Sequence, residues 1–198
     1  MEKDYLEVSE YLETSEYIDW QHPEIQRQAK ELAAGNKTDP EIAKACFEWV
    51  RDEIKHSWDY KQNPVTCKAS DVLEHGTGYC FAKSHLLAAL LRANDIPAGL
   101  CYQRLSIHDD GAPYSLHGFN AAYLKEFGWY RLDARGNKEK VDAQFIPPKE
   151  QLAFPINDEN EKDFPNILVQ PHHSVIEVLT TFNTVEEVVD NLPDAEKI

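Results

Sequence analysis

Three residues of this 198-residue chain have the types needed for nucleophilic catalysis: Cys80, His117 and Asp133. Cys80 follows the glycine-rich residues 76–79, Gly-Thr-Gly-Tyr, and begins a strongly helix-forming apolar run. The unpaired N–H groups and the positive dipole end of a helix's first turn favour a thiolate over a thiol. Cys80 is therefore the candidate nucleophile, although a lone cysteine is more often an inert core residue.

His117 and Asp133 are predicted to be neighbours on an antiparallel hairpin. Residues 115–124 and 128–134 have strand character, and the connection between them has hairpin length and contains a glycine. The two residues centre on position 125 and share parity, so they can lie on one face. A carboxylate there would orient the imidazole and leave its other nitrogen free to take the thiol proton. Together the three residues supply a nucleophile, a base and an orienting acid.

A helical layer is predicted to position these residues against the sheet. Residues 23–34 and 38–54 have apolar side chains at intervals of three and four, and Thr38 with Glu41 has capping-box spacing. The helix that begins at Cys80 is apolar around much of its circumference, which indicates burial on more than one side. Cys46 belongs to the apolar stripe of the helix predicted over residues 38–54 and is expected in the core.

The predicted architecture is one α+β domain over residues 1–198. Its core covers about residues 38–136, an N-terminal arm and helix cover 1–37, and a C-terminal extension covers 137–198. A further strand is predicted over residues 98–107. The extension is rich in proline and charge and is expected to be irregular, ending with a strand over residues 174–182 and a helix capped by Thr184 and Glu187.

Composition and charge exclude several classes of function. The 20 Lys and Arg residues against 35 Asp and Glu give a formal net charge of −15, which argues against nucleic-acid and anionic-membrane partners. No secretory signal or membrane span is visible, so a cytoplasmic location is expected. The four cysteines lack the spacing of a zinc site and are expected to be reduced thiols. They are Cys46, Cys67, Cys80 and Cys101.

Five short segments occur in order between about Glu48 and Arg135. They are Phe-Glu-Trp-Val-Arg at 47–51, Asp-Val-Leu-Glu-His-Gly-Thr-Gly-Tyr-Cys at 71–80, Ala-Ala-Leu-Leu-Arg-Ala-Asn-Asp-Ile-Pro at 88–97, Leu-His-Gly at 116–118 and Gly-Trp-Tyr-Arg-Leu-Asp at 128–133. Together they resemble the transglutaminase-like superfamily of cysteine enzymes, particularly its compact bacterial members.

The resemblance implies a papain-like arrangement, with the nucleophile helix packed on an antiparallel sheet. It implies a triad of Cys80, His117 and Asp133 and acyl transfer through a thioester. An aromatic residue often lies where this chain has His56, and a tryptophan often lies close behind the family histidine, where this chain has Gly118-Phe119. These departures concern the substrate channel more than the triad.

Several other residues have functional interpretations that the sequence does not favour. The backbone N–H of Cys80 is the natural first oxyanion donor, and Trp58 or Gln62 is a candidate second donor, although a structural role is expected for either. Lys83 lies one turn beyond Cys80 and is expected to face solvent. His85 is expected to be a packing residue.

A metal site is not favoured. His172-His173 and His108-Asp109-Asp110 carry ligand types, but adjacent histidines project in different directions and lack the i, i+4 spacing of helical ligands. No cofactor is expected.

The expected function is cysteine-dependent acyl transfer on a peptide, protein or small amide substrate, with hydrolysis favoured over transamidation. The alternatives are a non-catalytic peptide-binding module and a thiol redox protein, which would need a resolving cysteine close to Cys80. The sequence leaves the oligomeric state open.

Overall fold

A computed structural model describes residues 8–108 and 111–198. After a 3₁₀ turn at Glu10–Leu12, the helices are α1 Pro23–Ala33, α2 Asp39–Glu53, α3 Ser57–Tyr60, α4 Ala69–His75, α5 Cys80–Arg92, α6 His173–Thr181 and α7 Val185–Asp190. The strands are β1 Lys55–His56, β2 Thr77–Gly78, β3 Ala98–Ser106, β4 Tyr114–Leu124, β5 Gly128–Leu132, β6 Gln144–Ile146, β7 Lys149–Gln151 and β8 Lys162–Asp163.

The first two helices begin and pack as the sequence predicts. Thr38 and Glu41 form a reciprocal capping box at the start of α2, and this satisfies backbone N–H groups that have no partner within the helix. Cys46, Phe47 and Val50 lie on the buried face of α2. The apolar spacing of three and four therefore identified the core-facing side of the helix.

Helix α5 is the centre of the domain, because all of its residues are buried. It packs against α1, α2 and α4 on one side and against β3 and β4 on the other. At its C-terminal end the buried Arg92 side chain donates hydrogen bonds to the carbonyl oxygens of Ala98, Glu13 and Val169. One guanidinium therefore connects the end of the helix to three other parts of the chain.

The main sheet has the order β5-β4-β3-β8, and its strands are antiparallel. Strand β4 lies directly on α5: the Asn120 side chain donates to Ser84 O at 2.9 Å, and Gly118 faces Phe81. A Cβ added at Gly118 would lie 2.8 Å from Phe81 Cδ1 and 3.2 Å from Phe81 Cα. Glycine at this position permits the close approach of the sheet to the first turn of α5.

The architecture confirms the predicted α+β class, with the helical layer on an antiparallel sheet. In the described part of the chain, none of the helices has the length and apolar character needed to cross a bilayer.

The C-terminal extension is more ordered than predicted. It contains the hairpin β6–β7, and it adds β8 to the edge of the main sheet beside β3. The strand prediction for residues 174–182 is wrong, because His173–Thr181 is helix α6. The β-branched residues of this segment suggested a strand, but Val175, Val178 and Leu179 are spaced to bury one helical face. The capped helix after Thr184 is confirmed as α7.

Candidate active site

Cys80 is the first residue of α5, as the glycine-rich turn predicts, and it is 8% exposed. The preceding residue is fixed at both its backbone and its side chain: Tyr79 O accepts from Lys83 N at 2.9 Å, and Tyr79 Oη donates to Val185 O at 2.5 Å. The sulfur therefore lies at the N-terminal end of a buried helix, where the helix dipole has its positive end.

His117 and Asp133 lie together, joined by a 2.7 Å contact between Nε2 and Oδ2. The strand register pairs Asn120 with Leu132, so Asp133 lies diagonally across from His117, one residue beyond the end of β5. Diagonal neighbours share a face of a sheet. The prediction that the two residues share a face is confirmed. The predicted register was wrong, because the positions paired across these strands have a sum that is larger by two than the sum of 117 and 133.

Asp133 is fully buried, and hydrogen-bond donors surround its carboxylate. Oδ1 accepts from Arg135 N at 3.1 Å, and Oδ2 accepts from Ala153 N at 3.1 Å as well as from His117. Burial alone would raise the pKa of Asp133, but the charge of His117 and these hydrogen bonds lower it below its usual value. The residue is therefore held as a carboxylate.

The environment of His117 favours the protonated imidazole. Burial would lower the pKa of His117, but the Asp133 carboxylate and then Cys80, through its charge and a hydrogen bond, raise it to about 10. Since Nε2 faces Asp133, Nδ1 is the nitrogen that remains for the sulfur. The structure thus brings Cys80, His117 and Asp133 together, and the arrangement suits a thiolate–imidazolium pair oriented by an acid.

Two aromatic rings hold the imidazole in place. Phe154 meets His117 edge to face with centroids 5.0 Å apart, and Phe119 lies nearly parallel to it at 6.0 Å. Gln103 donates to Phe154 O at 3.4 Å. Sequence reasoning missed Ala153 and Phe154, although their short apolar run within the charged extension was a detectable signal.

An ion-pair cluster connects α3 to the chain after Asp133. Arg135 contacts both carboxylate oxygens of Asp59, at 2.6 and 3.1 Å, and Lys138 Nζ lies 2.8 Å from Asp59 Oδ1. Burial would raise the pKa of Asp59, but the hydrogen bonds from Arg135 and Lys138 lower it. The cluster therefore holds α3, and with it Trp58, beside the site.

A second histidine, His56, lies near Cys80 because β1 pairs in parallel with β2, placing His56 opposite Gly78. Its ring meets Tyr79 edge to face at 5.6 Å, and its Nδ1 is buried without a hydrogen-bond partner among the described residues. Burial, with the nearby charge of Arg135, lowers the pKa of His56 well below its usual value. The site therefore combines a charged and a neutral imidazole.

Cys80 and His117 open into a cavity of about 850 Å³. His56 and Trp58 line it, whereas Gln62 is exposed and does not. Of the two residues predicted as second oxyanion donors, only Trp58 is therefore placed at the site, and His56 joins it as a candidate. The C-terminal extension contributes further walls: Lys138, Glu139, Lys140, Val141, Phe154, Pro155, Asn157, Glu161, Val189 and Leu192.

The expectation that Lys83 faces solvent is wrong. Its side chain is 1% exposed, and Nζ donates to Ile54 O and, at 3.4 Å, to Arg51 O at the end of α2. Burial, with the charge of Arg135, lowers the pKa of Lys83 to about 7. Its carbonyl partners explain how a lysine can be accommodated in the core.

The environments of His85 and of the three cysteines other than Cys80 indicate structural roles. His85 is buried with Nδ1 2.8 Å from Cys67 O, which confirms its packing role. Burial raises the pKa values of Cys46, Cys67 and Cys101 to about 12, so none of these is a competing thiolate.

Within residues 8–108 and 111–198, no group of three His, Cys, Asp or Glu side chains is placed to hold a metal ion. His172 Nδ1 lies 2.8 Å from Ser174 Oγ, and Asp109 and Asp110 fall outside the described residues.

Comparison with protein families identifies the class of this chain. Residues 26–134, more than half of the chain, match the family model described as the transglutaminase-like superfamily. The chain belongs to this superfamily, and the resemblance seen in the sequence is confirmed. A search of curated proteins found no match.

Two solved structures are similar to part of this chain. A candidate cysteine protease from Cytophaga hutchinsonii is 22% identical with a TM-score of 0.52, and the match covers 65% of this chain and 42% of that one. The periplasmic domain of TgpA from Pseudomonas aeruginosa is 20% identical with a TM-score of 0.46, and that match covers 63% and 45% of the two chains. This chain thus spans less than half the length of either relative.

Proposed function

We propose that this protein is a cysteine-dependent acyl-transfer enzyme that hydrolyses a peptide or amide bond. The observation that supports this most strongly is the 2.7 Å contact between His117 Nε2 and the buried Asp133 carboxylate, beside Cys80 at the opening of α5. Such an arrangement supplies each role that thiol catalysis requires.

In the proposed reaction the Cys80 thiolate attacks the carbonyl carbon of the amide. The backbone N–H of Cys80 stabilises the oxyanion, and His56 or Trp58 is the candidate second donor. The C–N bond then breaks, and the proton on His117 Nδ1 passes to the leaving amine, which leaves a thioester on Cys80. Water gives a proton to His117 and attacks the thioester, so the acid departs and the thiolate–imidazolium pair returns.

Product masses distinguish the possible outcomes of the thioester. We expect glutamine-containing peptides incubated with the protein and an amine acceptor to yield mainly hydrolysis products, with none formed by Cys80→Ala. Products joined to the amine would instead assign transamidation to the same site.

The reactivity of the thiol tests the site independently of any substrate. At a pH near 6.5, iodoacetamide should label Cys80 much faster than Cys46, and His117→Ala should remove the difference. Slow and uniform labelling of all four cysteines would contradict the proposal and favour a non-catalytic peptide-binding module.

A further inference from the structure

The last part of the chain is anchored next to both proposed catalytic side chains, although it lies outside the matched residues 26–134. Val185 O accepts from the hydroxyl of Tyr79, which precedes Cys80. Pro193 O accepts from Leu116 N at 2.7 Å, and Leu116 precedes His117. Residues 185–193 therefore connect the nucleophile turn to the strand that carries the base.

Between these two anchors the chain turns apolar side chains toward the cavity. Val185 and Val188 are buried in the core, whereas Val189 and Leu192 are half-buried and line the cavity that contains Cys80. Leu116 and Tyr79 line the same cavity. We name Val189 and Leu192, with these two neighbours, the apolar wall.

No charged residue of α7 contributes to the cavity: Glu186, Glu187 and Asp190 are exposed and lie outside its lining. Apart from His117, the charged residues of the lining belong to α3 and to the chain after Asp133, where Asp59 is already paired with Arg135 and Lys138.

Glu139 and Lys140 also line the cavity, and the carboxylate of a further charged residue, Glu161, accepts hydrogen bonds from the backbone N–H groups of Ser106, Asn157 and Asp158. Burial of an aliphatic group against the apolar wall is favourable because apolar surface is removed from water. Burial of a charged group there is unfavourable because the group loses its hydration and gains no polar partner.

From this distribution we propose that the apolar wall is a specificity subsite for an aliphatic side chain on the acyl part of the substrate, next to the scissile carbonyl. The proposal rests on the proposed amide hydrolysis. It makes Val189 and Leu192 specificity-determining residues contributed by the C-terminal segment.

The test uses N-acetylated aminocoumarin amides that differ only in the residue before the scissile bond: glycine, leucine or glutamate. With wild-type protein we expect kcat/KM for the leucyl amide to exceed that for the glycyl amide by about tenfold, with the glutamyl amide lowest. Leu192→Ser and Val189→Ser should each lower the leucyl-to-glycyl ratio several-fold. The matched control Ile146→Ser changes a 42% exposed side chain outside the cavity lining and should leave the ratio unchanged.

Two different failures can be told apart. Release of the coumarin that does not depend on Cys80, or no release from any amide, would overturn the proposed function. Cys80-dependent release with a preference for the glycyl or glutamyl amide, or a leucyl preference unchanged in Leu192→Ser, would overturn the subsite alone. If Leu192→Ser does not fold, Leu192→Trp fills the subsite instead and should lower the same ratio, and an unchanged ratio would contradict the proposal.

Discussion

The proposed chemistry depends on the hydrogen bonds that the Asp133 carboxylate accepts. The carboxylate accepts from His117, Arg135 N and Ala153 N. In Asp133→Asn the amide cannot stabilise an imidazolium, so we expect kcat/KM to fall by about 10³- to 10⁴-fold, less than in Cys80→Ala or His117→Ala. Asp95→Asn, at an exposed aspartate, is the control.

The same substitution should change the pH dependence. The Asp133 carboxylate is the main group that raises the pKa of His117 to about 10. Wild-type activity should therefore persist until the pH approaches that value, and in Asp133→Asn the alkaline decline should begin at lower pH. Kinetics across the pH range and imidazole NMR measure the two effects, and an unchanged alkaline limb would exclude His117 as the group that titrates there.

The His117–Asp133 pair also predicts how stability depends on pH. A histidine with a raised folded pKa contributes stability that is complete below its unfolded value of about 6.5. That contribution is lost as the pH rises through about 10. The difference in free energy of unfolding between wild type and His117→Gln, measured in urea, should therefore shrink from pH 7 to pH 10.5. A constant difference would contradict the assigned ion pair.

At the level of secondary structure, the contact of β4 with α5 sets the distance between His117 and Cys80, the proposed base and nucleophile. In Gly118→Ala the new Cβ would meet Phe81 side-chain and backbone atoms, so the strand must move away from the first turn of α5. We expect a loss of about 1–3 kcal/mol in stability together with lower activity of the folded protein.

Substitution of Gly35 is a control that separates the loss of stability from the loss of activity. Gly35 has a φ of +86° and open space around it. Gly35→Ala should therefore lower stability through backbone strain and leave the activity of the folded protein unchanged. Comparable activity losses in the two variants would show that the Gly118 contact does not align the site.

Local sequence signals predicted the elements that carry the site but not everything around them. The helix start at Cys80 was predictable because two glycines and a run of helix formers mark it. Helix α6 was missed because its β-branched residues favour a strand, although Val175, Val178 and Leu179 also have the spacing of a buried helical face. The burial of Lys83 depends on carbonyl groups at the end of α2, which no local pattern shows.

At the level of the whole molecule, the site is completed by chain that is distant in sequence. Ala153 N donates to Asp133, and Phe154, Val189 and Leu192 line the cavity. No pattern in the sequence pairs Ala153 with Asp133 or α7 with the cavity, so the proximity of Cys80, His117 and Asp133 could be predicted, whereas the residues that surround them could not.

A fragment of residues 8–136 tests this dependence on the extension. We expect it to lack a cooperative unfolding transition and the fast labelling of Cys80, because it loses the Ala153 donor and the packing of α7. Circular dichroism and iodoacetamide labelling measure these properties. A folded fragment with a reactive Cys80 would show that the extension is dispensable for the site.

The clamp that Arg92 forms at the far end of α5 has a consequence for turnover. Arg92 donates hydrogen bonds to three carbonyl groups at the end of a helix whose residues are all buried, so a movement of α5 along its axis would break these hydrogen bonds. We therefore expect the sulfur of Cys80 to keep its position during turnover. The substrate must then be the partner that moves to bring its carbonyl carbon to the sulfur.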